Sequence, residues 1–155
     1  HGYNGKVFGF ISLLELIVVS IYAFAPNWYK FLLPFWYLEN DILIWIGWGL
    51  LILSLILVWL AQSNMRASWR IGIDYDEKTE LVVKGIFAIS RNPVFLGVVV
   101  FYIGIFLILP NTLSFTLVVV ILITVQVQVR LEEVYLLETH GEAYQAYKNS
   151  VRRWI

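Results

Sequence analysis

Apolar residues run almost unbroken from Val7 to Ala25 and again from Ile42 to Ala61, with Glu15 the only charge inside either stretch. Two shorter runs follow, Val94 to Leu109 and Leu113 to Val129, joined by Pro110-Asn111-Thr112. A bilayer core about 30 Å thick takes roughly 20 apolar residues as a helix, because no lipid-exposed backbone group can go unpaired there. The link between the last two runs is so tight that they form an antiparallel hairpin. The pattern therefore predicts an all-α integral membrane protein, one domain over residues 1–155. It has four transmembrane helices at about 7–25, 42–61, 94–109 and 113–129, a cytoplasmic loop and a C-terminal amphipathic helix.

Positive charge sets the expected orientation, since short loops rich in Lys and Arg stay on the cytoplasmic side. Arg66, Arg70, Lys78, Lys84 and Arg91 lie between the second and third runs, and Arg130, Lys148, Arg152 and Arg153 follow the fourth. These groups share one side if four helices span, which puts both termini in the cytoplasm and, in a prokaryote, the protein in the inner membrane. The first apolar stretch is too long for a signal peptide and has no small-residue cleavage site after it. The chain opens on His rather than Met, so residues 1–5 carry no weight in this reading.

Composition agrees with a membrane setting: 60% of residues are hydrophobic and only 14% charged, against about 25% charged in soluble domains. Eleven basic and eleven acidic side chains cancel, so no overall field gathers nucleic acid. Seven Trp residues, among them Trp28, Trp36, Trp45, Trp48 and Trp59, suit anchoring at the two interfaces. The absence of Cys and the presence of only two His residues exclude disulfides, thiolate chemistry and a multi-His metal centre.

Chemistry is then expected where charge collects, in the loop and the tail. Gln126, Arg130 and Glu133 fall on one face of the fourth helix, and Gln128 and Glu132 on a second stripe. This is either a helix becoming solvated, with Arg130 and Glu133 paired on its surface, or the wall of a polar pocket shared with Arg91. Such a pocket suits a zwitterion, with carboxylates for its cation and arginine for its anion. Ser90-Arg91-Asn92-Pro93 opens the third helix, whose N-terminus is either capped by Ser90 or Asn92 or offers its N–H groups to an anion. Gly85 permits a backbone geometry other residues resist within an extended or turn segment. Tyr144, Tyr147 and Val151 recur at helical spacing in a tail helix expected at the membrane surface. Glu15 is costly at mid-helix and is expected to face the bundle and hydrogen-bond another helix, or else to serve an acceptor tunnel or a dimer contact.

Taken in order, Gly85-Ile86-Phe87, then Arg91-Asn92-Pro93-Val94-Phe95-Leu96-Gly97, then Arg130-Leu131-Glu132-Glu133, then Gly141, Tyr144, Tyr147 and Val151 form a spaced pattern over residues 81–155. It resembles the isoprenylcysteine carboxyl methyltransferase and phospholipid methyltransferase superfamily. Ser68-Trp69-Arg70-Ile71-Gly72 is similar to its compact prokaryotic members. The chain departs from the pattern at Asn92, where many members have His, and at His140, where a Phe is common.

The resemblance implies a membrane enzyme using S-adenosylmethionine, with its cofactor in the 81–155 half. The cofactor would meet Gly85, Arg91, Asn92, Pro93, Leu96, Gly97, Glu132, Glu133 and Tyr144. Arg130 and Glu133 would act on the methyl acceptor, Arg130 by orienting it. The acceptor would be a lipophilic or prenylated molecule, a carboxylate, amine or thiol entering from among the membrane lipids. Two other readings compete: an NADPH-dependent sterol-type reductase, and a noncatalytic membrane scaffold.

Overall fold

The computed structural model describes residues 2–65 and 81–155. Arg66, Arg70, Lys78 and the Ser68–Gly72 stretch lie outside the described residues. The long helices are α1 (Gly2–Phe24), α3 (Asp41–Met65), α4 (Pro93–Ile108) and α5 (Thr112–His140); α2 (Pro26–Tyr29) and α6 (Glu142–Ser150) are short. No strand occurs among the described residues. Among the described residues three helices are long and apolar enough to cross a membrane, Gly5–Phe24, Asp41–Met65 and Thr112–His140, while Pro93–Ile108 is a shorter apolar helix. The chain is a membrane protein by these helices.

One boundary differs from expectation. The fourth apolar run does not stop at Val129: α5 continues unbroken for 29 residues to His140, about 43 Å at the usual helical rise. It persists because its inward face persists, with Val125, Gln128, Val129, Glu133 and Tyr135 all buried.

Small residues let α3 and α4 approach closely. Gly47, Ser54 and Ala61, each seven residues from the next, are the buried positions of α3, and a side chain at Gly104 would press on the Gly47 carbonyl. The Ser54 hydroxyl donates to the Gly97 carbonyl at 2.8 Å. Packing of this kind, with small residues and interhelical hydrogen bonds, suits helices that gain little from burial in lipid. The apolar core lies between α1, α4 and α5, around Ile11, Tyr102, Leu117, Ile121, Val125 and Val129.

The α4–α5 turn is locked to the segment after α1. The Phe35 N–H donates to the Pro110 carbonyl at 2.8 Å, and the Thr112 hydroxyl to the Leu33 carbonyl at 3.2 Å. Asn111 is fully buried; its side chain accepts from the Ser114 N–H at 3.0 Å and donates to the Leu109 carbonyl at 2.9 Å. Asn111→Ala removes an N-cap and strands buried groups, so it is expected to cost about 2 kcal/mol. Thermal unfolding in detergent checks this, and an unchanged midpoint would contradict the assignment.

Candidate functional site

Buried charge other than Glu15 gathers, among the described residues, where α4 begins and along the last third of α5. The approach is built by Gly85, which adopts φ +64° and sits so close to the Asn64 side chain, near the end of α3, that a Cβ would collide with it. Gly85–Ala88 then makes one 3-10 turn, which brings Ser90, Arg91 and Asn92 to the head of α4. Pro93 takes the first helical position, where a missing N–H costs nothing. Asn92 stands at the cap position, yet its side chain does not cap the helix. It donates instead to the Arg153 carbonyl at 3.1 Å.

The C-terminal tail thus threads across the head of α4. The Arg91 N–H donates to the Arg152 carbonyl at 3.1 Å, and the Ser90 hydroxyl to the Arg153 carbonyl at 3.4 Å. The Arg153 guanidinium grips Glu133 with two bonds, Nε to Oε1 at 3.0 Å and Nη2 to Oε2 at 2.8 Å. This bond raises the Arg153 pKa above its ordinary value, because the carboxylate stabilises the charged form. From the other side, Arg91 Nη1 lies 3.1 Å from Glu133 Oε1, and both side chains are 8% exposed. The Arg91 guanidinium also interacts with the Tyr144 hydroxyl, while its buried Nε has no acceptor among the described residues. Two guanidiniums thus converge on the one Glu133 carboxylate, and the Arg91 Nε–H is left spare among the described residues.

The tail helix completes the enclosure. Tyr144 and Tyr147 of α6 are buried with their rings edge to face at 6.1 Å. Their burial turns the apolar face of α6 inward onto the protein. Burial raises the Tyr144 pKa, with the Glu133 charge adding to it. The Tyr147 hydroxyl donates to the Phe87 carbonyl at 2.6 Å, and burial pushes its pKa from 10.0 up to about 12. A phenol raised in the folded state contributes its full stability below the ordinary value and loses it as pH climbs towards the raised one. Tyr147→Phe is expected to lower stability by about 1 kcal/mol at neutral pH and to flatten the loss between pH 10 and pH 12. Melting curves at a series of alkaline pH values test this, and parallel curves for the two proteins would count against it.

Several residues singled out from sequence sit elsewhere. Arg130 is exposed on α5, and the surface pair expected between it and Glu133 is replaced by the pairs with Arg91 and Arg153. The reason is rotational: the inward stripe of α5 runs through Val125, Val129 and Glu133, and Arg130 lies about 100° round the helix from Val129. Glu132 is half-buried and Leu96 is half-buried on α4. Gly97 faces α3, where the space a side chain would need is taken by Val58 and the Ser54 carbonyl; the role it shows is helix packing. Glu15 is buried, but neither carboxyl oxygen has the interhelical hydrogen bond expected for it. Sequence reasoning missed Arg153, whose only signal was membership of a basic pair near the C-terminus.

The phospholipid methyltransferase family model matches residues 42–143, from the start of α3 into α6. The chain belongs to this family. No match to a curated protein was found. Family membership makes the general class methyl transfer at a membrane, and it covers Arg91, Asn92, Glu132, Glu133 and the hairpin that joins them. It leaves α1 and the Arg152-Arg153 tail outside the matched stretch.

Proposed function

We propose that the protein is an S-adenosylmethionine-dependent methyltransferase acting on a lipid-like or isoprenoid-bearing acceptor. In this reading four helices span, α4 with them, both termini face the cytoplasm, and the Arg91–Glu133–Arg153 cluster opens on that side. One observation carries the proposal: Arg91 is buried beside Glu133 with its Nε–H donor unfilled among the described residues, at the head of a helix whose cap side chain is turned away. Such an arrangement fits the carboxylate of an amino-acid-like ligand, held by a guanidinium and by the positive end of a helix.

The rest of the donor set fits the same ligand. Both Glu133 oxygens are engaged by arginines, so Glu133 holds the two guanidiniums in place. Glu132, half-buried next to it, is then the carboxylate for an ammonium or hydroxyl group. S-Adenosylmethionine supplies a sulfonium methyl that is already activated, so the protein's task is alignment and exclusion of water. A carboxylate acceptor needs no proton removed; for an amine or thiol, Glu132 is the side chain placed to accept the proton. Family membership favours methyl transfer over the reductase and scaffold readings.

Incubation of the purified protein with labelled S-adenosylmethionine and membrane lipids, followed by mass analysis, is expected to show a lipid gaining one CH₂. Arg91→Ala is expected to weaken S-adenosylhomocysteine binding at least tenfold by calorimetric titration. Binding of NADPH in place of both sulfur nucleotides would overturn the proposal.

A further inference from the structure

Glu15 stands at the middle of α1 with 4% of its surface exposed, flanked on the same face by Ile11 and Val18 at 2% and 0%. Both of its carboxyl oxygens are buried without a hydrogen-bond partner among the described residues. One turn away, the Ser12 hydroxyl meets the Tyr102 hydroxyl of α4 at 3.3 Å, and Glu15 lies within electrostatic reach of that phenol. A carboxyl group left unpaired inside an apolar bundle is strongly unfavourable. Ile11 and Val18 show that an aliphatic side chain packs well on this face. Unfilled acceptors at such a position call for a donor that the described residues do not provide.

Three further observations say what kind of donor. Tyr102 lies nine residues into α4 from Pro93, which puts this group about 14 Å below the Arg91–Glu133 cluster along the helix axis. The opposite face of α1 is apolar and exposed through Phe10, Leu13, Leu16 and Ile17, so the Glu15 face is a single helix away from the surrounding lipid. The family match begins at residue 42, so Glu15 belongs to an element outside the matched stretch, while Tyr102 belongs to the part within it. At that depth a cation would carry a large desolvation cost, whereas a neutral hydroxyl or amide N–H needs only acceptors.

We propose that Ser12, Glu15 and Tyr102 form an acceptor-selecting site. It takes a neutral hydrogen-bond donor, a hydroxyl or amide N–H, carried by a lipid-like acceptor at a depth about 14 Å from the Arg91–Glu133 cluster. This rests on the methyltransferase reading and deepens it. The donor group enters by the seam between α1 and α4, with α1 leaning outward to admit it. Acceptors carrying the donor at that spacing are held in register with the reacting end, and those without it are not.

The test uses full-length protein in nanodiscs and three probes. These are phosphatidylethanolamine with a 3-hydroxytetradecanoyl chain, the same lipid with an unsubstituted tetradecanoyl chain, and one hydroxylated far down the chain. The 3-hydroxyl is expected to raise kcat/KM about tenfold over the unsubstituted lipid, the worth of one hydrogen bond, and the distal hydroxyl to give no gain. Glu15→Leu is expected to bring the ratio to about one, and Glu15→Gln, which keeps an acceptor oxygen, to retain part of it. A wild-type ratio of one, or a ratio untouched by Glu15→Leu, overturns the proposal. Native mass spectrometry of lipid retained by the same proteins reads the site without catalysis. Glu15-dependent retention of the 3-hydroxy lipid with no methyl transfer would sink the methyltransferase reading and leave the donor site standing.

Discussion

Replacing Glu133 with glutamine is expected to destabilise the protein by about 3–5 kcal/mol, the usual cost of removing one partner from a buried ion pair. The effect comes chiefly through Arg91. Its side chain is 8% exposed, so without the carboxylate its guanidinium stays buried with no counter-charge. Arg153, 34% exposed at its side chain, can turn towards water, and Arg153→Ala is accordingly expected to cost far less, about 1 kcal/mol. Glu133→Gln should therefore lower the unfolding midpoint by roughly 10 °C and weaken S-adenosylhomocysteine binding together with it. A Glu133→Gln protein that melts like wild type would show that the two arginines do not depend on this carboxylate.

The ordering of these effects bears on what the sequence revealed. The apolar runs were readable because a lipid-crossing helix has a length requirement that few other structures share. The end of α5 was not, because Gln126, Gln128 and Arg130 look like a helix entering water, whereas Gln128 and Glu133 are buried against the protein. Arg91 and Glu133 were visible as a spaced motif, and they do meet. Spacing offers Arg130 as a surface partner for Glu133; the second guanidinium on Glu133 comes instead from Arg153, 20 residues away. No periodicity marks a residue in an extended tail, so nothing local could single it out.

Gly97 and Glu15 were opaque for a related reason. The partners that define Gly97, Ser54 and Val58 on α3, belong to an earlier helix far away in sequence, and small residues read alike whether they admit a ligand or a neighbouring helix. For Glu15 the sequence indicates that a carboxyl group is present at mid-helix and that it faces inward. It cannot indicate that Ser12 and Tyr102 bond each other one turn away and that both carboxyl oxygens stay unfilled among the described residues.

Ending the chain after Ser150 is expected to lower stability by about 2–4 kcal/mol and to weaken cofactor binding more than tenfold. The deletion removes the Arg152 carbonyl that accepts from the Arg91 N–H, the Arg153 carbonyl that accepts from Asn92 and the charged pair of bonds to Glu133. It also removes Trp154, which packs against the apolar core. Water replaces some of the lost partners at Ser90 and Asn92, so the neutral bonds contribute little to the net change. The Arg153–Glu133 pair, about 1 kcal/mol at its exposure, and the lost packing of Trp154 make up most of it. Arg153→Lys separates charge from geometry: an ammonium keeps the positive charge but cannot make the two-pronged contact, so it is expected to fall between wild type and the truncated chain. Calorimetric titration with S-adenosylhomocysteine and thermal melts on all three proteins provide the comparison. If the truncated chain binds and melts like the full one, the tail is a passenger and Arg91 is held in place by α4 and Glu133 alone.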